Sequence, residues 1–241
     1  MNAIKTTNLT KKYKDKTAVD CLNLTVEQGE LYALLGVNGA GKSTTIKMLS
    51  CLVPATSGDA LLNGNSIIKD TQKVKQIINV SPQETAVAEK LSVRENLELI
   101  SRIYGADKKQ AKEKAQNMIE RFDMQEIAKS RAKTLSGGWQ RRLSIAMALI
   151  TEPEILFLDE PTLGLDVLAR RELWKVIEKL KGKITIILTT HYLEEAESLS
   201  DRIGIMAKGE LKAVGTAEDL KKLAETNNFE EAFIKIAGEE I

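Results

Sequence analysis

The sequence predicts an α/β protein built on a mainly parallel sheet, and three observations predict it. Apolar runs at residues 31–35, 155–158, 184–188 and 203–206 are too continuous for half-exposed strands and suit a sheet covered on both faces. After Leu135 such runs are separated by helical segments, the pattern of right-handed strand–helix–strand units. A glycine-rich turn follows the run at 31–35 and opens a helical pattern over 44–52.

Upstream, residues 3–9 and 18–26 alternate apolar with polar, as antiparallel strands that bury one face do. Residues 58–65 read as a hairpin and 77–80 as another buried strand. From 84 to 134 the β-branched runs give way to helical spacing with dense mixed charge. Ser92 with Glu95 makes a capping box there, and Gly105 a helix stop. The expected organisation is one domain. Residues 1–83 and 135–216 form the α/β core with an N-terminal antiparallel β subdomain, and 84–134 form an inserted α-helical subdomain. Residues 217–241 are a short helical tail, whose Leu220, Leu223, Phe229, Phe233 and Ile236 are expected to cover the core.

Composition narrows the function. A chain of 241 residues with 43% hydrophobic content can bury a sizeable core. Its 35 basic and 34 acidic residues lack the excess that counterion release on nucleic acid demands, so no nucleic-acid partner is expected. Cys21 and Cys51, each in an apolar run, read as small buried hydrophobes of a reducing compartment. No run approaches the roughly 18 apolar residues of a spanning helix, and residues 1–16 lack the apolar centre of a signal peptide. A soluble, cytosolic protein is expected, held at any membrane by something else.

Gly36-Val37-Asn38-Gly39-Ala40-Gly41-Lys42-Ser43, followed by Thr44, fits G-x-x-x-x-G-K-[ST]. Chance yields the four fixed positions in roughly one chain in a hundred of this length, and the strand before and helix after make it rarer. Glycines let backbone N–H groups approach phosphates, and the helix N-terminus adds positive potential. Lys42 is placed to reach the β- and γ-phosphates and Ser43 to meet Mg²⁺. A nucleoside triphosphate is the expected ligand.

The run at 155–158 ends in Asp159-Glu160-Pro161. Carboxylates at the C-terminal end of a buried parallel strand stand where α/β sheets bind ligands. Asp159 suits Mg²⁺, directly or through another ligand. Glu160, pointing elsewhere, could orient and deprotonate an attacking water.

The chemistry-bearing segments run in a fixed order. After the phosphate loop come Gln83 in Ser81-Pro82-Gln83, then Leu135-Ser136-Gly137-Gly138-Trp139-Gln140-Arg141-Arg142-Leu143, Asp159-Glu160, Leu163-Gly164-Leu165-Asp166 and Thr190-His191. That series resembles the nucleotide-binding subunit of ATP-binding-cassette (ABC) transporters over essentially the whole chain. The resemblance implies an ABC-type P-loop NTPase fold and ATP hydrolysis with ATP and Mg²⁺. It places Tyr13, 29 residues before Lys42, on the adenine. Gln83 would meet Mg²⁺ and the attacking water, and His191 would hold the γ-phosphate. Ser136, Gly137 and Gly138 would touch the γ-phosphate bound by the opposite subunit, with Asp166 at the seam.

The family works as a homodimer or heterodimer of such subunits beneath a separate polytopic membrane subunit, which implies a peripheral position on the inner face of the cell membrane. Residues 190–197 resemble the exporter branch, and the short C-terminal stretch leaves no room for the regulatory domain of many sugar importers. The alternative is a soluble ABC ATPase of an assembly system, such as iron–sulfur cluster assembly. A purely regulatory nucleotide sensor fits less well, because Gln83, Glu160 and His191 are all present. Trp139 and Leu163 depart from the commonest pattern. Neither removes a phosphate ligand, so they are expected to alter rate or dimer affinity rather than abolish turnover.

Overall fold

The computed structural model describes residues 1–238; the last three residues of the expected tail, 239–241, lie outside the described residues. Strands β1 (Asn2–Tyr13), β2 (Lys16–Leu22) and β3 (Thr25–Glu27) open the chain, then β4 (Leu31–Leu35), helix α1 (Lys42–Leu49), β5 (Ser57–Leu62), β6 (Asn65–Ser66), α2 (Thr71–Ile77) and β7 (Ile78–Ser81). The hairpin at 58–65 is present as β5 and β6. Asn63 and Gly64 turn it with φ of 44° and 80°, the left-handed pair that matches strand twist. These N-terminal strands form an antiparallel sheet, ordered β2-β1-β5-β6 with β3 also on β1.

The expected single strand at 18–26 is two strands. Between them Asn23 substitutes its side chain for ladder bonds: it accepts from the Asn8 N–H at 2.9 Å and donates to the Asn8 Oδ1 and the Cys21 carbonyl, each at 2.9 Å. The cysteines are not buried as expected. Cys21 is exposed because the β1–β2 register slips between Leu9 and Lys11 and its own φ is 44°. Cys51 is half-buried in the turn after α1, at φ 57°. Helix α2, unread in the sequence, takes Ile77, so the strand expected at 77–80 starts one residue later.

The second half contains α3 (Val93–Ile103), α4 (Lys108–Arg121), α5 (Gly137–Leu149), β8 (Ile155–Asp159), α6 (Val167–Glu178), β9 (Thr185–Thr190), α7 (Leu193–Leu199), β10 (Arg202–Ala207), β11 (Glu210–Gly215), α8 (Ala217–Leu223) and α9 (Phe229–Ala237). The main sheet is ordered β11-β10-β4-β9-β8-β7, parallel throughout except for β11 on β10. Every residue of β4, β8 and β9 is buried, which is why apolar runs dominate these strands, with Asp159 and the β9 threonines the polar exceptions. Strand β11 escaped the sequence reading because it lies at the edge and carries Glu210 and Lys212.

Helices α3 and α4 lie between β7 and α5, in the stretch 84–134 that reads as helical. The Ser92–Glu95 capping box is closed in both directions, and Gly105 follows the helix end at φ 92°. Leu97, Ile119 and Phe122 pack with Leu143 of α5 into one core on one side of the main sheet. On the other side Leu34, Phe157 and Ile187 pack with Ile4, Leu9 and Leu62 of the antiparallel sheet. Full burial of such side chains contributes about 1.5–3 kcal/mol each. In the tail Leu220 and Phe229 are buried against Ile203 and Ile205, with Phe233 and Ile236 partly covered. Leu223, expected to cover the core, is instead 65% exposed, because it ends α8 on the outer face. Among the described residues no helix is long and apolar enough to cross a membrane.

Candidate functional site

The glycine-rich loop leaves β4 and enters α1 with Gly41 as N-cap, at φ 106°. Each glycine has a different reason. A Cβ on Gly36 would sit 2.3 Å from the Met206 carbonyl oxygen, and one on Gly41 would sit 2.5 Å from that of Ala18. Gly39, at φ 86°, has no atom within 4 Å of an added Cβ; it supplies conformation and leaves open space. Lys42 folds back over this loop, donating to the carbonyls of Gly36 at 2.6 Å and Val37 at 3.2 Å.

The end of β8 meets that loop. Asp159 Oδ1 accepts from the Ser43 hydroxyl at 3.0 Å and from the Thr189 hydroxyl at 2.6 Å. Glu160 then turns left-handed, at φ 48°, a region that costs an acidic side chain about 1–3 kcal/mol and clusters at functional sites. Its N–H is held by the Thr189 hydroxyl at 3.0 Å and carbonyl at 3.1 Å. The turn aims the carboxylate at two cations or donors: Oε1 lies 3.2 Å from Lys42 Nζ, and Oε2 lies 2.8 Å from His191 Nδ1. The Lys42 and Glu160 side chains are 4% and 6% exposed, so the pair is a desolvated one.

A cavity of about 380 Å³ opens above these groups, lined by Tyr13, Lys16, Ala18, Asn38, Gly39, Ala40, Gly41, Lys42, Ser43, Thr44, Gln83, Glu160, Leu163 and His191. Residues from five separated stretches expected to share a site therefore do so. Gly36 and Val37 shape the loop without lining the cavity, and Asp159 lies beneath Ser43. Ser136, Gly137 and Gly138 are not among the lining residues. Ser136 caps α5, exposed and with no cap bond from its side chain. Asp166 caps α6, accepting from the N–H groups of Leu168 and Ala169, each at 2.9 Å. Tyr13 is 44% exposed, with the Lys11 ammonium 4.9 Å from its ring centroid.

Sequence reasoning missed Lys16, Ala18, Thr189, Arg141 and Glu195. Lys16 belongs to no motif, and Arg141, within the Ser-Gly-Gly segment, carries no local mark of its burial. Its guanidinium instead donates to the Pro82 and Gln83 carbonyls. Glu195 is wholly buried, accepting from Trp174 Nε1 at 3.0 Å. Burial pushes its carboxyl up, against the lowering effect of the neighbouring Thr190 and Thr162 side chains and the Trp174 N–H.

The chain is similar in sequence and fold to known proteins. Residues 19–163 match the family described as ABC transporter. The daunorubicin resistance ATP-binding protein of Streptomyces coeruleorubidus is 42% identical over 88% of this chain and 67% of its own length. The linearmycin resistance ATP-binding protein of Bacillus subtilis is 44% identical over 88% and 69%. The probable multidrug ABC transporter ATP-binding protein of Escherichia coli is 41% identical over 97% of this chain but only 41% of its own length. The solved ATP-binding subunit of an ABC transporter superposes with a TM-score of 0.84 at 28% identity, covering 97% of this chain and 99% of that one. A dimeric ATP-binding cassette in a post-hydrolysis state, bound to ADP and Pi, gives 0.79 at 26% identity over 88% and 98%. The loop, the acidic strand end and the histidine meet at one cavity of a chain most of whose length matches these proteins, and the chain belongs to the ABC transporter family as an ATP-binding cassette that hydrolyses ATP.

Proposed function

We propose that the chain drives an exporter: two cassettes, identical or different, close around two Mg-ATP on the inner face of the membrane and move a separate polytopic permease. The observation that carries this reading is the incompleteness of the site. The phosphate loop, Glu160 and His191 converge on one cavity with Asp159 beneath Ser43, while Ser136–Gly138 head α5 outside it, with no side-chain cap on the helix among the described residues. A second chain facing the first would bring that helix N-terminus to the γ-phosphate. ATP then holds the dimer closed, because those contacts exist only in the closed state.

Each residue has a role in this reading. Tyr13 receives the adenine, the Gly36–Thr44 backbone cradles the phosphates, and Lys42 exchanges Glu160 for the β- and γ-phosphates. Glu160, released from Lys42, accepts the proton of the attacking water, while His191 and Gln83 hold the γ-phosphate and that water. The side-chain oxygens of Ser43 and Asp159 lie 3.0 Å apart, and with Gln83 they would fit Mg²⁺, an ion held by a carboxylate or two beside phosphate and water. When bound, the ion neutralises charge on the β- and γ-oxygens.

The division into a core of 1–83 and 135–216, a helical subdomain of 84–134 and a tail from 217 serves the same end. Next to Gln83, at Pro82, a cavity of about 120 Å³, lined also by Ile100, Tyr104 and Met147 among others, suits an apolar side chain from a permease helix. Ile103 and Tyr104, 65% and 59% exposed, extend its apolar rim. Export is favoured by the drug-resistance names of two relatives.

The test uses tagged Glu160→Gln protein with Mg-ATP. It should bind ATP, fail to turn it over, run as a dimer by light scattering and carry a stoichiometric polytopic protein out of solubilised native membranes. A monomer with ATP counts against the sandwich. A soluble scaffold as sole partner would replace transport with an assembly function.

A further inference from the structure

Arg141 sits one turn into α5, five residues after Ser136, and is 4% exposed. Burying a guanidinium is unfavourable unless its N–H groups find acceptors. Here one arm donates to the Pro82 carbonyl and the other to the Gln83 carbonyl, with the Glu160 carbonyl 3.4 Å away. Among the described residues its hydrogen bonds go to carbonyl oxygens alone, so it reads backbone position rather than side-chain charge. Burial lowers its pKa and the charges of Asp159 and Glu195 raise it; a guanidinium so balanced stays protonated.

These acceptors belong to two other segments. Pro82 and Gln83 lead from β7 into the helical subdomain, and Glu160 holds the left-handed turn that aims the carboxylate at Lys42. Arg141 itself belongs to the helix whose first residues are Gly137 and Gly138. At about 1.5 Å of rise per residue, the helix N-terminus and the guanidinium are joined by little more than one rigid turn.

We propose that Arg141 is a positioning residue for ATP hydrolysis, locking the Gln83 loop and the Glu160 peptide to the helix that carries Ser136–Gly138. The proposal rests on the roles given above to Gln83 and Glu160. Motion of α5 on dimer closure is thereby passed to the loop beside the permease groove and to the acid that faces the water. A lysine would not substitute, because a single ammonium cannot match the planar fork that spans two successive carbonyls.

The experiment compares Arg141→Lys, Arg141→Gln, Gln83→Ala and the Arg141→Lys/Gln83→Ala double variant of the full chain, each assayed well below its own Tm. ATP affinity is read by calorimetry without Mg²⁺. Both Arg141 variants should lower kcat about tenfold or more while ATP Kd stays within about threefold, the pattern of an interaction that matters after binding. The double variant should lose no more than about twofold beyond the worse single one, because both act through one loop. Wild-type kcat in Arg141→Lys, multiplicative losses in the double variant, or a kcat loss matched by an equal loss of ATP affinity overturns the proposal. Glu160→Gln separates the two levels. If it still hydrolyses ATP, the site roles fail. If it is inert while Arg141→Lys turns over normally, only the positioning role fails.

Discussion

Replacing Lys42 by alanine should weaken the free fold as well as nucleotide binding, because the lysine neutralises a buried acid. Lys42 Nζ lies 3.2 Å from Glu160 Oε1, with the two side chains 4% and 6% exposed. Removing one partner of such a pair strands the other charge away from water, at about 3–5 kcal/mol. His191 Nδ1, 2.8 Å from Oε2, offsets part of this, which points to the lower end, about 3 kcal/mol. For a chain of 241 residues each kcal/mol moves Tm by about 2–4 °C, so Lys42→Ala should melt roughly 6–12 °C below wild type without nucleotide. Glu160→Gln should cost less, since Lys42 keeps its bonds to the Gly36 and Val37 carbonyls. The double variant Lys42→Ala/Glu160→Gln should therefore be more stable than Lys42→Ala alone. Thermal unfolding of the four chains gives the coupling, and calorimetry should show lost ATP binding wherever Lys42 is absent. A Lys42→Ala chain melting within about 2 °C of wild type, or a double variant no more stable than that single one, would refute the reasoning.

Two further outcomes follow from local geometry. Gly41→Ala should lose about 2–3 kcal/mol, since its φ is 106° and the new Cβ would meet rigid backbone at Ala18. Gly39→Ala, with no atom within 4 Å, should lose only the left-handed penalty of about 1–2 kcal/mol. Urea midpoints in the reverse order would contradict this account of the loop. Trp139→Gln removes a ring 4.4 Å from the Arg142 guanidinium, worth about 0.5–1 kcal/mol, at a residue that does not itself line the cavity. Turnover should stay within about tenfold, a barrier change under about 1.4 kcal/mol; no measurable turnover would refute it.

The features legible in the sequence were those whose cause lies within a few residues. The phosphate loop is one strand, one turn and one helix start, so its glycines, Lys42 and Ser43 stand together in the chain as they do in space. The same holds for the Ser92–Glu95 box, the Asn63-Gly64 turn and the apolar runs of β4, β8 and β9. Local signals misled where the chain departs from regular pairing. The alternation through 18–26 hid the Asn23 break, and the apolar neighbours of Cys21 hid its outward turn.

What only the tertiary structure decided is which distant groups meet. Asp159 reaches Ser43 across 116 positions, and Arg141 reaches Gln83 across 58 and the Glu160 carbonyl across 19. Those meetings depend on the strand order β11-β10-β4-β9-β8-β7, which sets β4 beside β9 and β9 beside β8, so that three strand ends open into one cavity. The central strands β4, β8 and β9 are alike in kind, buried at every residue and mostly apolar, and carry no mark of their neighbours. That order goes with the packing on its two faces, helices on one and the antiparallel sheet with α1 on the other, which shares the burial among the strands.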